Sequence, residues 1–171
     1  MSKDAPTIPA DMVVVGLGNA YRKDDAVGVI AAAAIRELVS PHVRVVTDIS
    51  DSTLLLDAWR DAEVAVVIDA ARGASPMPGE VRRWTVADLT NMPKGWTSHS
   101  IDLARTHALA QILAQAPTAM VVFTVEVVDT GHGVGLTAAV ADAVPEVVGL
   151  VLAEINDRRT TTRRSPHSAS R

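Results

Sequence analysis

The chain has 171 residues, which suits one domain, and its 48% apolar and 21% charged residues indicate a globular protein. It contains no cysteine, which excludes a disulfide scaffold, a thiolate metal site and a cysteine nucleophile. No apolar run reaches the roughly 20 residues that a membrane-spanning helix needs, and the first residues lack the apolar core of a secretory signal. We therefore expect a cytoplasmic protein that does not act on a membrane.

The charged residues are unevenly distributed along the chain. Residues 157–171 hold five arginines and one aspartate, whereas the rest of the chain is acidic. An acidic body argues against nucleic acid as the main partner. We expect one domain over 11–156, a flexible N-terminus over 1–10 and a basic, disordered tail over 157–171. Nothing in the sequence demands an oligomer, so a monomer is the expected state.

In the first third of the chain, a buried strand is followed by an amphipathic helix. The run DMVVVGLG, at 11–18, predicts a strand that ends in a glycine turn. From Asp25 the apolar residues recur at helical spacing, and Pro41 prevents any continuation. The predicted core face of this helix consists of Val27, Ile30, Ala31, Ala34, Ile35 and Leu38.

The same alternation continues to residue 155. A strand at 43–47 precedes a helix that Asp51 or Ser52 can cap and that runs to about Trp59. The later predicted elements are strands at 63–70 and 80–86, a helix at 101–116, a central strand at 118–128 and a helix at 137–155. The 101–116 helix carries Ala104, Ala108 and Ile112 along one side. In the 137–155 helix, Pro145 marks a kink or a fresh first turn. This order predicts a single three-layer α/β/α domain with a mostly parallel, twisted sheet of about five strands. Only a loop joins 63–70 to 80–86, so an antiparallel connection is expected there.

Polar residues lie at three points where predicted strands end or a helix begins. They are Asp25 after the first strand, Asp69 at the end of the 63–70 strand, and His99 before the 101–116 helix. Ligands of open α/β sheets bind outside the carboxyl ends of the strands, so these three side chains are expected to converge. Two carboxylates and one imidazole suit a borderline divalent metal such as nickel, zinc or manganese, with coordination positions left open. His107 and His132 are not expected to be ligands, and His107 is expected to be half-buried or solvated.

Several other site types are excluded by the sequence. Tyr21 stands where a dinucleotide fingerprint needs its third glycine, and no Gly-Lys-Ser/Thr phosphate loop occurs. There is no His-Glu-x-x-His helix and no Gly-x-Ser-x-Gly elbow. If the protein is a hydrolase, activation of water by a metal or a carboxylate is the expected chemistry.

Four stretches together resemble the hydrogenase maturation endopeptidase family. They are VVVGLGNAYRKDDAVG at 13–28, VVIDAARGASPMPGEV at 66–81, SHSIDLARTHALAQIL at 98–113, and VVFTVEV with the later GLT and VPEVVGLVL, so the resemblance covers about residues 11–155. It implies an endopeptidase that removes a C-terminal extension from the large-subunit precursor of a nickel–iron hydrogenase after nickel has been inserted. It further implies that Asp25, Asp69 and His99 contact that nickel, which the precursor carries and which serves as the recognition signal. Ala26, where a glycine is frequent, and Ser100 depart from the family pattern without removing a ligand.

Two other functions are compatible with parts of this pattern. A binding protein or chaperone for the immature hydrogenase or its nickel would need the same acid–acid–imidazole set without cutting the chain. Val-Gly-Leu-Gly-Asn near Tyr21 is also similar to the start of peptidyl-tRNA hydrolases. That family continues with Pro-Gly and a histidine, whereas Ala20 follows Asn19 in this chain.

Overall fold

The computed structural model describes residues 12–73, 77–91 and 102–164, with side chains described through 161. Within these ranges one sheet contains five strands: β1 (Met12–Gly16), β2 (Val43–Val46), β3 (Val64–Ala71), β4 (Val81–Thr85) and β5 (Ala119–Glu126). Their order is β2-β1-β3-β5-β4, and all neighbouring pairs are parallel except β4 with β5. The predicted mostly parallel sheet is confirmed. The expected antiparallel strand is also present, but β5 separates it from β3.

Helices cover both faces of this sheet. They are α1 (Val27–Arg36), α2 (Ser52–Trp59), α3 (Val86–Leu89), α4 (Leu103–Ile112) and α5 (Ala138–Arg164), and a 3-10 turn (Lys23–Ala26) leads into α1. One apolar layer joins the sheet to α1 and α5, and a second joins the opposite face to α2, α3 and α4. The α/β/α architecture is therefore the predicted one. The side chain of Asp51 caps α2 by accepting hydrogen bonds from the Thr53 and Leu54 N–H groups.

The buried face of α1 is narrower than its apolar pattern predicts. Val27, Ala31 and Ile35 are buried as expected, but Ile30 is 39% exposed and Leu38 is 61% exposed. Small residues, including Gly28, let the α1 backbone approach the strands closely. Only a narrow row of side chains along α1 is therefore buried against the sheet. Large side chains at the margin of that stripe remain in solvent.

The predicted core face of α4 is wrong. Leu103, Thr106, His107 and Ala110 are buried, whereas Ile112 is 81% exposed. The buried positions are shifted by one residue from the predicted ones, because Leu103 anchors the first turn against the sheet. With few large apolar residues in this helix, the sequence pattern did not determine its rotation.

The last helix is longer than predicted. It runs as a single helix through Pro145, so the alternative of a new helix starting there is wrong. It continues to Arg164, well into the segment predicted as a tail. Among the described residues, no helix has the length and apolar character required to cross a bilayer.

The chain reverses its direction across the sheet between β1 and β3. From β1 it passes through α1 to β2 on one side, and then through α2 to β3 on the other side of β1. Because α1 and α2 lie on opposite faces, the carboxyl ends of β1 and β3 form a topological switch point, the position at which open α/β sheets have their ligand crevice. The sequence after β1 and the last residues of β3 border this crevice.

Candidate active site

The turn after β1 brings the 3-10 turn against the end of the sheet. Gly18 has a φ of +139°, and a Cβ at this residue would lie 2.0 Å from the backbone oxygen of Asp25. A Cβ at Gly28 would lie 2.4 Å from the backbone oxygen of Ile68, the residue before Asp69. Both glycines are therefore required by close backbone approach, and together they hold the Asp25 segment against the end of β3.

The two adjacent acids of this turn have different surroundings. Asp24 is completely buried, and its Oδ1 accepts a hydrogen bond from the Thr137 N–H at 2.7 Å. Its Oδ2 accepts from the Asp129 N–H at 3.1 Å and from the Thr137 hydroxyl at 3.0 Å. Asp24 therefore anchors the loop between β5 and α5. The Asp25 Oδ2 accepts a hydrogen bond from the Asn19 N–H at 3.1 Å, beside the end of β1.

Further contacts attach the loop after β5 to the 3-10 turn. The Lys23 ammonium donates to Asp129 Oδ2 at 2.5 Å, and the Lys23 N–H donates to the Gly133 backbone oxygen. The Lys23 hydrogen bond, and then that from the Gly131 N–H, lower the pKa of Asp129. The rim of the crevice next to Asp25 is thus a cross-linked pair of loops.

Asp69 occupies the end of β3 and is completely buried. Its Oδ1 accepts a hydrogen bond from the Ala70 N–H at 2.8 Å. The parallel register sets Gly16 beside Ile68, so the end of β1 and Asp69 lie at the same edge of the sheet. Asp25 and Asp69 thus border the same crevice, and their carboxylates are suited in kind to a divalent metal.

The third predicted residue, His99, lies outside the described residues, as do Ser98, Ser100 and Trp96. Within 12–73, 77–91 and 102–164, no three histidine, aspartate or glutamate side chains are grouped closely enough to hold a metal ion. The acid–acid–imidazole set therefore remains a prediction.

Comparisons with known proteins determine the family. The family model described as hydrogenase maturation protease matches residues 27–154. The chain belongs to the hydrogenase maturation protease family. It is accordingly a peptide hydrolase, and the peptidyl-tRNA hydrolase alternative is wrong. Asp24 and Asp25 lie just before the matched segment.

Solved structures of maturation proteases share this fold. The endopeptidase HybD from Escherichia coli is similar over 86% of this chain and 93% of its own, with a TM-score of 0.74 and 20% identity. HybD from Thermococcus kodakarensis covers 83% and 97%, with a TM-score of 0.69 and 22% identity. HycI from the same organism covers 83% and 90%, with a TM-score of 0.64 and 21% identity. A search of curated protein sequences finds no match.

In this protease, the sequence analysis missed two polar residues of the same region, Thr124 and Glu126. Both lie on β5, and Thr124 is the register neighbour of Asp69. Both are buried, and the Thr124 hydroxyl accepts a hydrogen bond from the Trp84 indole N–H at 2.8 Å. Their spacing of two residues in an otherwise apolar strand places them on one face, and that signal was available in the sequence.

His107 is buried, which corrects the expectation of a half-buried or solvated residue. Its ring meets Trp59 edge to face at 6.3 Å between centroids. Burial lowers the pKa of His107 from its usual value near 6.5. The fold therefore favours the neutral ring.

This pKa shift predicts a pH-dependent stability. The contribution of His107 is fully present above the unfolded-state pKa near 6.5 and is lost as the pH falls through 6.5 towards the folded-state pKa. Urea unfolding at pH 7.5 and pH 5 is expected to show a larger loss of unfolding free energy for the wild type than for His107→Gln. Equal losses in the two proteins would contradict the prediction.

Proposed function

We propose that this protease removes the C-terminal extension of a nickel-loaded nickel–iron hydrogenase large-subunit precursor, with the bound nickel as the recognition element. In this proposal Asp25, Asp69 and His99 contact the nickel of the precursor. The family assignment supports the reaction class, and names such as "[NiFe] hydrogenase maturation protease" for the Thermococcus relative support the substrate class.

The observation that carries the proposal is that the two adjacent acids, Asp24 and Asp25, have different surroundings. Both carboxylate oxygens of Asp24 accept hydrogen bonds from the loop after β5, whereas Asp25 borders the crevice that Asp69 also lines. A buried carboxylate at the switch point of the sheet has a high desolvation cost unless a cation or hydrogen-bond donors offset it. Asp25 and Asp69 each accept a hydrogen bond from a backbone N–H, and a divalent metal delivered by the substrate adds the positive charge that such donors do not supply.

The mechanism follows from this arrangement. Docking of the nickel on Asp25, Asp69 and His99 fixes the precursor and brings its C-terminal peptide to the crevice. A water polarised by the metal, or deprotonated by one of the carboxylates, attacks the carbonyl carbon of the scissile bond, and the leaving amine takes up a proton. A precursor without nickel lacks the docking group, so the metal provides specificity as well as position.

The intact mass of the precursor tests this function. A nickel-loaded precursor is expected to lose one discrete C-terminal peptide when wild-type protein is added, and an unloaded precursor is expected to keep its mass. His99→Ala and Asp69→Asn should abolish the loss, whereas Asp57→Asn, which changes an exposed acid on α2 outside the proposed set, should not. Cleavage at the normal rate by His99→Ala, or of unloaded precursor, would refute the role of nickel. A stable complex with an uncut precursor would instead favour a binding protein.

A further inference from the structure

Glu126 is a buried carboxylate that the proposed mechanism leaves without a task. It is only 3% exposed, at the end of β5, and in the described part of the chain its Oε1 is inaccessible to solvent and has no hydrogen-bond partner. An unsatisfied buried acceptor destabilises a fold, and a charged one does so more strongly. A carboxylate kept in this state at a crevice is suited to a group that arrives with a ligand.

The position of Glu126 places it beside Asp69. The register pairs Asp69 with Thr124 and Ala71 with Glu126 across adjacent parallel strands. Residues 124 and 126 lie on the same face of β5, and Asp69 lies on that face of β3. Glu126 is therefore the diagonal neighbour of Asp69 on the adjacent strand. Ordinary strand spacing and rise put the Cα atoms of Asp69 and Glu126 about 8 Å apart. Asp25 and Asp69 are also nearly or fully buried, so the path that admits a substrate to them leads to the neighbourhood of Glu126.

The charges around Glu126 favour a cationic partner. Arg82, a basic residue of the described part of the chain, interacts electrostatically with Glu126, but its guanidinium donates two hydrogen bonds to Glu80, at 3.1 and 2.8 Å. The pKa of Arg82 is raised mainly by that hydrogen-bonded pairing with Glu80, and the charge of Glu126 contributes less. Asp69 and Glu126 thus add two acidic groups to this face, while the nearby guanidinium is already engaged.

The geometry also argues that this cation is not the metal. Asp25, Asp69 and Glu126 are all described, and they do not form a group close enough to hold one ion. Arginine and lysine side chains also form the strongest hydrogen bonds with carboxylates.

We propose that Glu126 is a specificity-determining residue whose Oε1 binds the guanidinium or ammonium group of a basic residue of the substrate, close to the scissile bond. This inference rests on the proposed function, since it assumes that the precursor peptide enters the crevice. It adds a second recognition element to the metal, and the two elements together fix the peptide at two points.

A double-mutant cycle between enzyme and precursor tests the inference. Basic residues on either side of the cleaved bond are changed to Gln one at a time, and kcat/KM is measured with wild type, Glu126→Gln and Glu146→Gln. Glu146 is an exposed acid on α5 and serves as the matched control. One precursor change is expected to lower kcat/KM about 100-fold with wild type and the control, and less than twofold with Glu126→Gln. An undiminished 100-fold effect with Glu126→Gln would overturn the proposal.

Three further measurements separate the possible failures. Titration with Ni²⁺ alone should give the same affinity for wild type and Glu126→Gln, and a tenfold loss would make Glu126 a metal ligand and overturn the proposal. If wild type fails to cut any precursor, the proposed function fails. The double-mutant cycle is then repeated with the dissociation constant of the enzyme–precursor complex in place of kcat/KM, and it still decides the role of Glu126. Since Oε1 has no partner to lose, the thermal midpoint of Glu126→Gln should be unchanged or raised. Glu126→Met, of similar volume, gives a second variant for the same cycle.

Discussion

Asp25→Asn is expected to lower kcat/KM for cleavage of the nickel-loaded precursor by about 1000-fold, which corresponds to roughly 4 kcal/mol of transition-state stabilisation. The amide retains the shape of the carboxylate and can still accept the hydrogen bond from the Asn19 N–H. It lacks the negative charge that a divalent metal requires. The fold should therefore survive, with an unfolding free energy close to that of the wild type, while cleavage measured by intact mass almost disappears.

The control for Asp25→Asn is an acid of the same type in an exposed position. Asp57 forms a surface ion pair with Arg60 at 2.6 Å, and Asp57→Asn is expected to change kcat/KM by less than twofold. A loss of activity accompanied by an equal loss of folded protein would assign Asp25 a structural role. Activity within tenfold of the wild type would remove Asp25 from the set of metal contacts.

The sequence predicted the fold because its strongest signals are local. Short runs of Val and Ala between glycine or proline turns determine the strands, and their alternation with helices determines a parallel sheet. The antiparallel pairing of β4 with β5 depends on packing between segments that are distant in the sequence. No local sequence pattern predicts which strand β4 pairs with. The rotation of α4 was missed for the same reason, because tertiary contacts of Leu103 override a weak apolar pattern.

The site was predictable only in part. The rule that ligands bind at the carboxyl ends of strands selected Asp25 and Asp69, and the structure brings the segments that carry them to one crevice. Position after the turn does not by itself distinguish Asp24 from Asp25, and only the family resemblance singles out Asp25. The physical difference between them lies in hydrogen bonds that Asp24 accepts from residues more than a hundred positions away. Glu126 was overlooked because its strand was assigned as core throughout.

The distinction between the adjacent acids predicts an opposite phenotype for Asp24→Ala. This change removes the acceptor of three hydrogen bonds of 3.1 Å or less and leaves the partly buried Asp129 N–H and Thr137 N–H and hydroxyl without it. Removing a buried charged acceptor from three such donors costs about 3–5 kcal/mol in total. Chemical denaturation should show a loss of unfolding free energy of that size, and the loop after β5 should exchange its amide hydrogens faster.

The control for Asp24→Ala is Asp142→Ala, which removes an exposed carboxylate from α5 and should cost less than about 0.5 kcal/mol. Because the rim next to Asp25 consists of the loops that Asp24 joins, activity per folded molecule should also fall for Asp24→Ala, but by less than for Asp25→Asn. Asp24→Ala with wild-type stability and no cleavage would reverse the assignment, since Asp24 would then act in the chemistry. The pair of variants therefore decides which carboxylate holds the fold and which one meets the substrate.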